Sequence, residues 1–169
     1  KLERNIYLNS SGKKITLLNV GLSNESGVLN FTNFLNTTNK VVDEYHQSSI
    51  KVNVDSLDNY NLKPTVIKID VEGYEEFVLK GSMNTLKNKN LRVLIIELNE
   101  SGIVYGNDDQ TIYNFICSFG FNSYQYDPFL RKFKKTNSKT KNNNNTLFLR
   151  GEISDFEIRV KESRKYKFN

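Results

Sequence analysis

The chain has 169 residues and 37% hydrophobic content, which is enough for one buried core and leaves no room for a second domain. Its 24 Lys and Arg against 19 Asp and Glu give a formal net charge of +5 and an isoelectric point near 9.2, a mixed surface that favours an anionic partner only weakly. One cysteine excludes an internal disulfide, and no apolar run approaches the ~20 residues of a membrane span or the core of a signal peptide, so a soluble, cytoplasmic protein is expected.

In chain order, residues 1–9 read as the end of an amphipathic helix, with Ser10-Ser11-Gly12 as its stop. Ile15–Val20 is β-rich and ends at Gly21-Leu22-Ser23, where a glycine lets a backbone approach a ligand closely. The turn Asn24–Gly27 leads into an alternating strand, Val28–Phe31, expected to run antiparallel to its predecessor. Residues 32–49 form a polar loop longer than the ~12–15 residues usual for structureless connections, and so read as a lid or an insertion. It contains His46, a solvated residue by default and a general base only if a closing loop delivers it. Ile50–Val54 is the next strand.

Val66–Val71 has the composition of a strand covered on both faces. After Glu72-Gly73 the period changes, predicting a helix over Tyr74–Lys87 with Tyr74, Phe77, Val78 and Gly81 inward and Glu75, Glu76 and Lys80 outward. Lys68 interrupts the strand, where its stem can pack while its ammonium reaches an acid. Leu91–Leu98 is a second apolar strand, and the strand–helix–strand order predicts that the two are parallel neighbours. Asp109 is the expected N-cap of a helix over Gln110–Phe119 that carries Cys117 on its apolar side, with Gly120 as its stop. Asn122–Tyr126 and Thr146–Leu149 read as closing strands, Ser138–Asn145 as a disordered Lys/Asn loop, and the tail from Gly151 as a helix or a flexible end.

Two parallel strands would set Asp70 and Glu97 at neighbouring carboxyl ends, with Glu72, Asn99 and Glu100 just beyond, where open α/β sheets bind ligands. Such acids can orient a hydroxyl or ammonium, hold a hard cation such as Mg²⁺, or cap the following helix. Capping is the plain role for Glu72. Asp70, at the end of a buried strand, would need a partner or a ligand.

The pattern Ile67-Lys68-Ile69-Asp70-Val71-Glu72-Gly73, then Glu75, then Val78-Leu79-Lys80-Gly81, resembles the hallmark of FkbM-type S-adenosylmethionine-dependent methyltransferases. Lys51–Asp58, Val93–Glu97, Gly120-Phe121 and Asn145–Leu149 resemble the family's flanking pieces in order and spacing. The resemblance implies an α/β fold over residues 1–150, followed by a tail over 151–169. That fold would be class I methyltransferase-like (Rossmann-like), with a mostly parallel sheet and an antiparallel closing strand. It also implies methyl transfer from S-adenosylmethionine to a hydroxyl-bearing small molecule or carbohydrate such as a sugar. Asp70, Glu97 and Glu72 would be catalytic, Gly21, Leu22, Ser23 and Asp70 would border the cofactor, and Asp70, Glu97 and Asn99 would be the ligands if Mg²⁺ took part.

The chain contains no G-x-G turn, begins with Lys1 and has Met83 as its one methionine. The expectation is therefore a processed or excised piece that lacks the family's first strand–helix–strand, binds the cofactor poorly and leaves an open sheet edge beside Val66–Val71. Two further readings compete. One is a non-catalytic binding or scaffold domain. The other is a nucleic-acid binder, suggested by Tyr124, Tyr126, Phe129 and Phe133 among Arg131, Lys132, Lys134 and Lys135; their strand-like alternation argues for core packing and against nucleic acid.

Overall fold

The computed structural model describes residues 2–8, 15–35, 38–43, 48–139 and 145–164. His46 and the turn Ser10–Gly12 lie outside the described residues, as does most of the Lys/Asn loop. Helix α1 spans Leu2–Leu8. The following strands are β1 (Gly21–Leu22), β2 (Gly27–Thr32), β3 (Val41–Val42), β4 (Ser49–Asp55) and β5 (Val66–Ile69). Helices α2 (Glu75–Lys80) and α3 (Met83–Lys87) come next, then β6 (Val93–Glu97), α4 (Asp109–Ser118), β7 (Asn122–Asp127), β8 (Lys132–Lys135), β9 (Asn145–Leu149) and α5 (Ile153–Glu162). Short 3₁₀ turns occupy Leu57–Tyr60 and Ser101–Tyr105.

The strands form two sheets, ordered β1-β4-β2-β3 and β5-β6-β9-β7-β8. In the larger, β5 and β6 are parallel as expected, with Ile67 opposite Leu94 and Ile69 opposite Ile96. The remaining pairs, β6 with β9, β9 with β7 and β7 with β8, are all antiparallel. The architecture is thus mixed α/β, and its sheets have mixed orientation rather than the mostly parallel run that was expected. In the smaller sheet β1 is parallel to β4, while β2 is antiparallel to β4 and β3. β2 thus runs antiparallel to β1, as expected of the strand over Val28–Phe31, but β4 lies between the two.

The core comprises Leu79, Leu86, Leu91, Leu94, Ile96, Ile112, Ile116 and Phe148, all essentially inaccessible. It lies between the central strands β6 and β9 and the helices α2, α3 and α4. Arg150 ties its lower side, donating to the carbonyls of Leu86 (2.7 Å), Leu91 (2.6 Å), Phe119 (3.1 Å) and Asn88, with its guanidinium 4.4 Å from the Phe121 ring centre.

Several expectations change. Ile15–Val20 forms no strand: pairing with β4 is confined to Gly21 and Leu22, β-propensity alone does not extend β1 further, and Leu18 is exposed. The strand over 66–71 is not covered on both faces, because β5 is the outermost strand of its sheet and Val66 is 54% exposed. The helix over 74–87 is interrupted at Gly81-Ser82, where Ser82 Oγ bonds back to the Val78 carbonyl (2.6 Å) and Asp58 caps the new helix through the amides of Asn84 (2.7 Å) and Thr85 (2.9 Å). Asp108, one residue earlier than expected, caps α4: it has extended backbone and accepts from the Thr111 amide at 2.8 Å. The tail forms α5, held by the Arg92–Asp155 ion pair (3.0 Å), by Arg92 over the Phe156 ring and by Phe133 edge-on to Phe156.

Candidate functional site

Chain direction sets up the site. β5 and β6 run parallel and end together, so the residues that follow Ile69 and Ile96 emerge side by side. The carboxylate oxygens of Asp70, Glu72 and Glu97 can all lie within 4.8 Å of one another. Of the expected acids the structure brings together these three; Glu100 and Asn99 turn elsewhere. Asn99 Oδ1 accepts from the Ser101 amide at 2.9 Å and so serves the 3₁₀ turn, while Glu100 pairs with Lys139 at 2.9 Å.

Asp70 is not desolvated as expected. Its side chain is 44% exposed, because β5 is an edge strand, and it forms an ion pair with Lys68, the role anticipated for that lysine. The Lys68 ammonium, and to a lesser degree a hydrogen bond with Glu97, hold the Asp70 carboxyl below the usual carboxylate range against a modest opposing effect of burial.

Glu72 takes a left-handed backbone (φ 54°) and Gly73 follows at φ 99°. A side chain at Gly73 would come within 2.6 Å of the Ser101 carbonyl oxygen, so this turn demands glycine on both conformational and steric grounds. The capping considered for Glu72 falls instead to Glu75, whose Oε1 accepts from the amides of Val71 (3.1 Å) and Gly73 (3.3 Å). Glu75 was expected to face outward, yet it is 2% exposed. Burial pushes its carboxyl up despite those amides, and the nearby Asp109 adds to the effect. The signal available in the sequence was its place two residues after Gly73, where a carboxylate can fold back onto the amides of the turn.

Asp109 is itself buried, accepts from the Glu100 amide (3.1 Å) and pairs with Lys139 (2.7 Å), which pins the chain after β8 across this end of the sheet.

Residues of both sheets line one cavity of about 380 Å³: Gly21, Leu22, Phe31 and Asn39 from the smaller sheet and its loop, and Asp70, Val71, Glu72 and Tyr74 from the β5–α2 turn. The lining offers an apolar wall in Leu22 and Phe31, an amide in Asn39 and two carboxylates. Ser23 is buried and does not line it; its amide donates to the Asp55 carbonyl at 2.9 Å. The absent side chain of Gly21 also has a packing reason, since a Cβ there would lie 3.0 Å from Val54 Cγ1.

Tyr74 also walls a second groove of about 500 Å³, bounded by Lys40–Asp43, Phe77, Val104 and Tyr105. The Tyr74 ring stacks on Phe77 at 4.2 Å and meets Tyr105 edge-on at 5.5 Å. Tyr105 donates to the Val41 carbonyl at 2.9 Å, and burial pushes its phenol up to about 12, so it acts as a donor and not as a base near neutral pH.

Of the aromatics that suggested nucleic acid, Phe133 contacts Tyr126 at 4.8 Å and Tyr124 at 6.4 Å, while Phe129 is 95% exposed. Cys117 is half-buried and burial raises its thiol, which disfavours a nucleophilic thiolate. Among the described residues no helix is long and apolar enough to cross a membrane.

A family model for the methyltransferase FkbM domain matches residues 1–123. No curated protein matches the chain. Among solved structures, a methyltransferase FkbM from Methylobacillus flagellatus KT aligns with 86% of the chain at a TM-score of 0.51 and 17% identity, a likeness of fold. The aligned region spans 31% of that protein's chain.

Proposed function

The chain belongs to the FkbM methyltransferase family, and from that premise we propose that it takes part in S-adenosylmethionine-dependent O-methylation of a hydroxyl-bearing acceptor, within a class I, Rossmann-like frame. The observation that carries this reading is the cavity in which Gly21 and Leu22 of one sheet face Asp70 and Glu72 of the other. Its lining suits a ligand that combines an apolar ring with hydroxyl and ammonium groups. Leu22 and Phe31 would flank the ring, and Asp70 and Glu72 would accept from the polar groups.

When bound, S-adenosylmethionine supplies a sulfonium-activated methyl group that an oxygen can displace directly. The chain's own residues then have to align the acceptor and take its proton. Asp70, kept ionised by Lys68, is a weak base and a good acceptor of hydrogen bonds, which fits holding the hydroxyl in line. Asp70 also takes the proton released as the oxygen is methylated, and Glu97, hydrogen-bonded to it, holds that carboxylate in position. Glu72, on its strained turn, completes the negative rim. The same three acids would hold a divalent cation such as Mg²⁺, which would acidify a bound hydroxyl and so ease the loss of its proton to a base.

The test is transfer of label from methyl-labelled S-adenosylmethionine to a panel of hydroxyl compounds, with Asp70→Asn and Glu97→Gln beside the parent. A loss of roughly 100-fold or more in either variant, with unchanged melting, is expected; unchanged transfer in both would refute these roles.

A further inference from the structure

We propose that the groove between β3 and the 101–105 turn is the acceptor subsite, and that it takes the apolar ring body of a ring alcohol or phenol rather than a free polyol. The inference rests on the methyl-transfer reading and narrows its substrate class. The groove and the acid-lined cavity share Tyr74 as a wall, so a ligand seated in one abuts the other.

The chemistry of the groove is that of an apolar slot. Val41, Val42 and Val104 present methyl groups, and Val104 is 66% exposed. Phe77 has one face stacked on Tyr74 and the Lys80 ammonium 5.8 Å from its ring centre, so its edge is what remains for a ligand. The Tyr105 hydroxyl is spent on the Val41 carbonyl. Charged side chains in the lining come only from Lys40 and Asp43, which flank Val41 and Val42 in the chain. A polyol lying against these walls would leave its hydroxyls without partners, at a cost that an apolar ring does not incur. An acceptor that fits therefore carries its reactive hydroxyl toward Tyr74 and the acids, with its hydrocarbon ring among the valines.

The test is a methyl-resolved NMR titration of the chain with 2-naphthol and, separately, with methyl α-glucopyranoside, on the parent and on Val104→Glu. The expected result is saturable shifts of the Val41, Val42 and Val104 methyls with 2-naphthol, none with the glucoside, and at least tenfold weaker naphthol binding when Val41 and Val42 are followed in Val104→Glu. Shifts with the glucoside at the same methyls, no naphthol shifts there, or naphthol binding indifferent to Val104→Glu would overturn the proposal. Because this readout needs no S-adenosylmethionine, naphthol binding without any label transfer would count against the methyl-transfer reading and leave the groove's preference standing. Label transfer without naphthol binding would do the reverse.

Discussion

Gly81 lies so close to Ser23 that a Cβ built on it would meet the Ser23 carbonyl oxygen at 2.0 Å. This contact joins the end of β1 to the break between α2 and α3, and so sets how near Gly21 and Leu22 come to the β5–α2 turn. Asp58 strengthens the same junction, its amide donating to the Gly81 carbonyl (3.1 Å) while its carboxylate caps α3.

Gly81→Ala is therefore expected to destabilise the protein by about 1–3 kcal/mol, since two backbones must separate to admit one methyl. Gly27→Ala, where no atom lies within 4 Å, is the control and should leave the melting temperature nearly unchanged. Equal melting of the two variants would refute the close-packed junction.

Glu75→Gln retains an acceptor for the Val71 and Gly73 amides and removes a buried charge. The folded-state value of Glu75 is raised above its ordinary 4.5, so its favourable contribution is present below that value and is lost as pH rises through the folded one. The variant should match the parent near pH 4 and be more stable at pH 7–8. Urea midpoints at the two pH values measure this, and a variant that gains nothing on raising the pH would contradict it.

Asp70 behaves in the opposite sense. Its value is lowered from 3.8, so its contribution is present above 3.8 and is lost as pH falls through the folded value. Lys68→Met removes the largest cause, and the carboxyl resonance of Asp70 should then titrate at higher pH. An unmoved titration would show that Glu97, not Lys68, dominates.

Arg150→Met should cost on the order of 3 kcal/mol, because the carbonyls of Leu86, Asn88, Leu91 and Phe119 lose their donor in a closed part of the core. Thermal melting measures it, and a shift of less than a degree would contradict it.

The elements legible in the sequence were those with a strong period and a local cause: the parallel pair β5 and β6, α4 with Gly120 beyond it, and β9. The acid cluster followed from strand direction, since parallel neighbours must end together. The misjudged features depend on partners distant in sequence. Ile15–Val20 has strand composition, yet pairing with β4 begins only at Gly21. β5 does lie at the open sheet edge that was expected beside Val66–Val71, but its apolar run does not reveal the exposure of Val66 and Asp70. Glu75 has the spacing of an outward residue, and the turn at Glu72-Gly73 instead draws it inward. The break at Gly81 requires knowing that Ser23 lies against it.

The most direct test of the central claim is a ¹H–¹⁵N NMR titration with S-adenosylmethionine up to millimolar concentration. Weak, saturable shifts centred on Gly21, Leu22, Asp70, Val71 and Glu72 are predicted, and they should diminish in Asp70→Asn. Shifts centred elsewhere, or none at these residues at saturating ligand, would contradict the assignment of this cavity to the methyl donor.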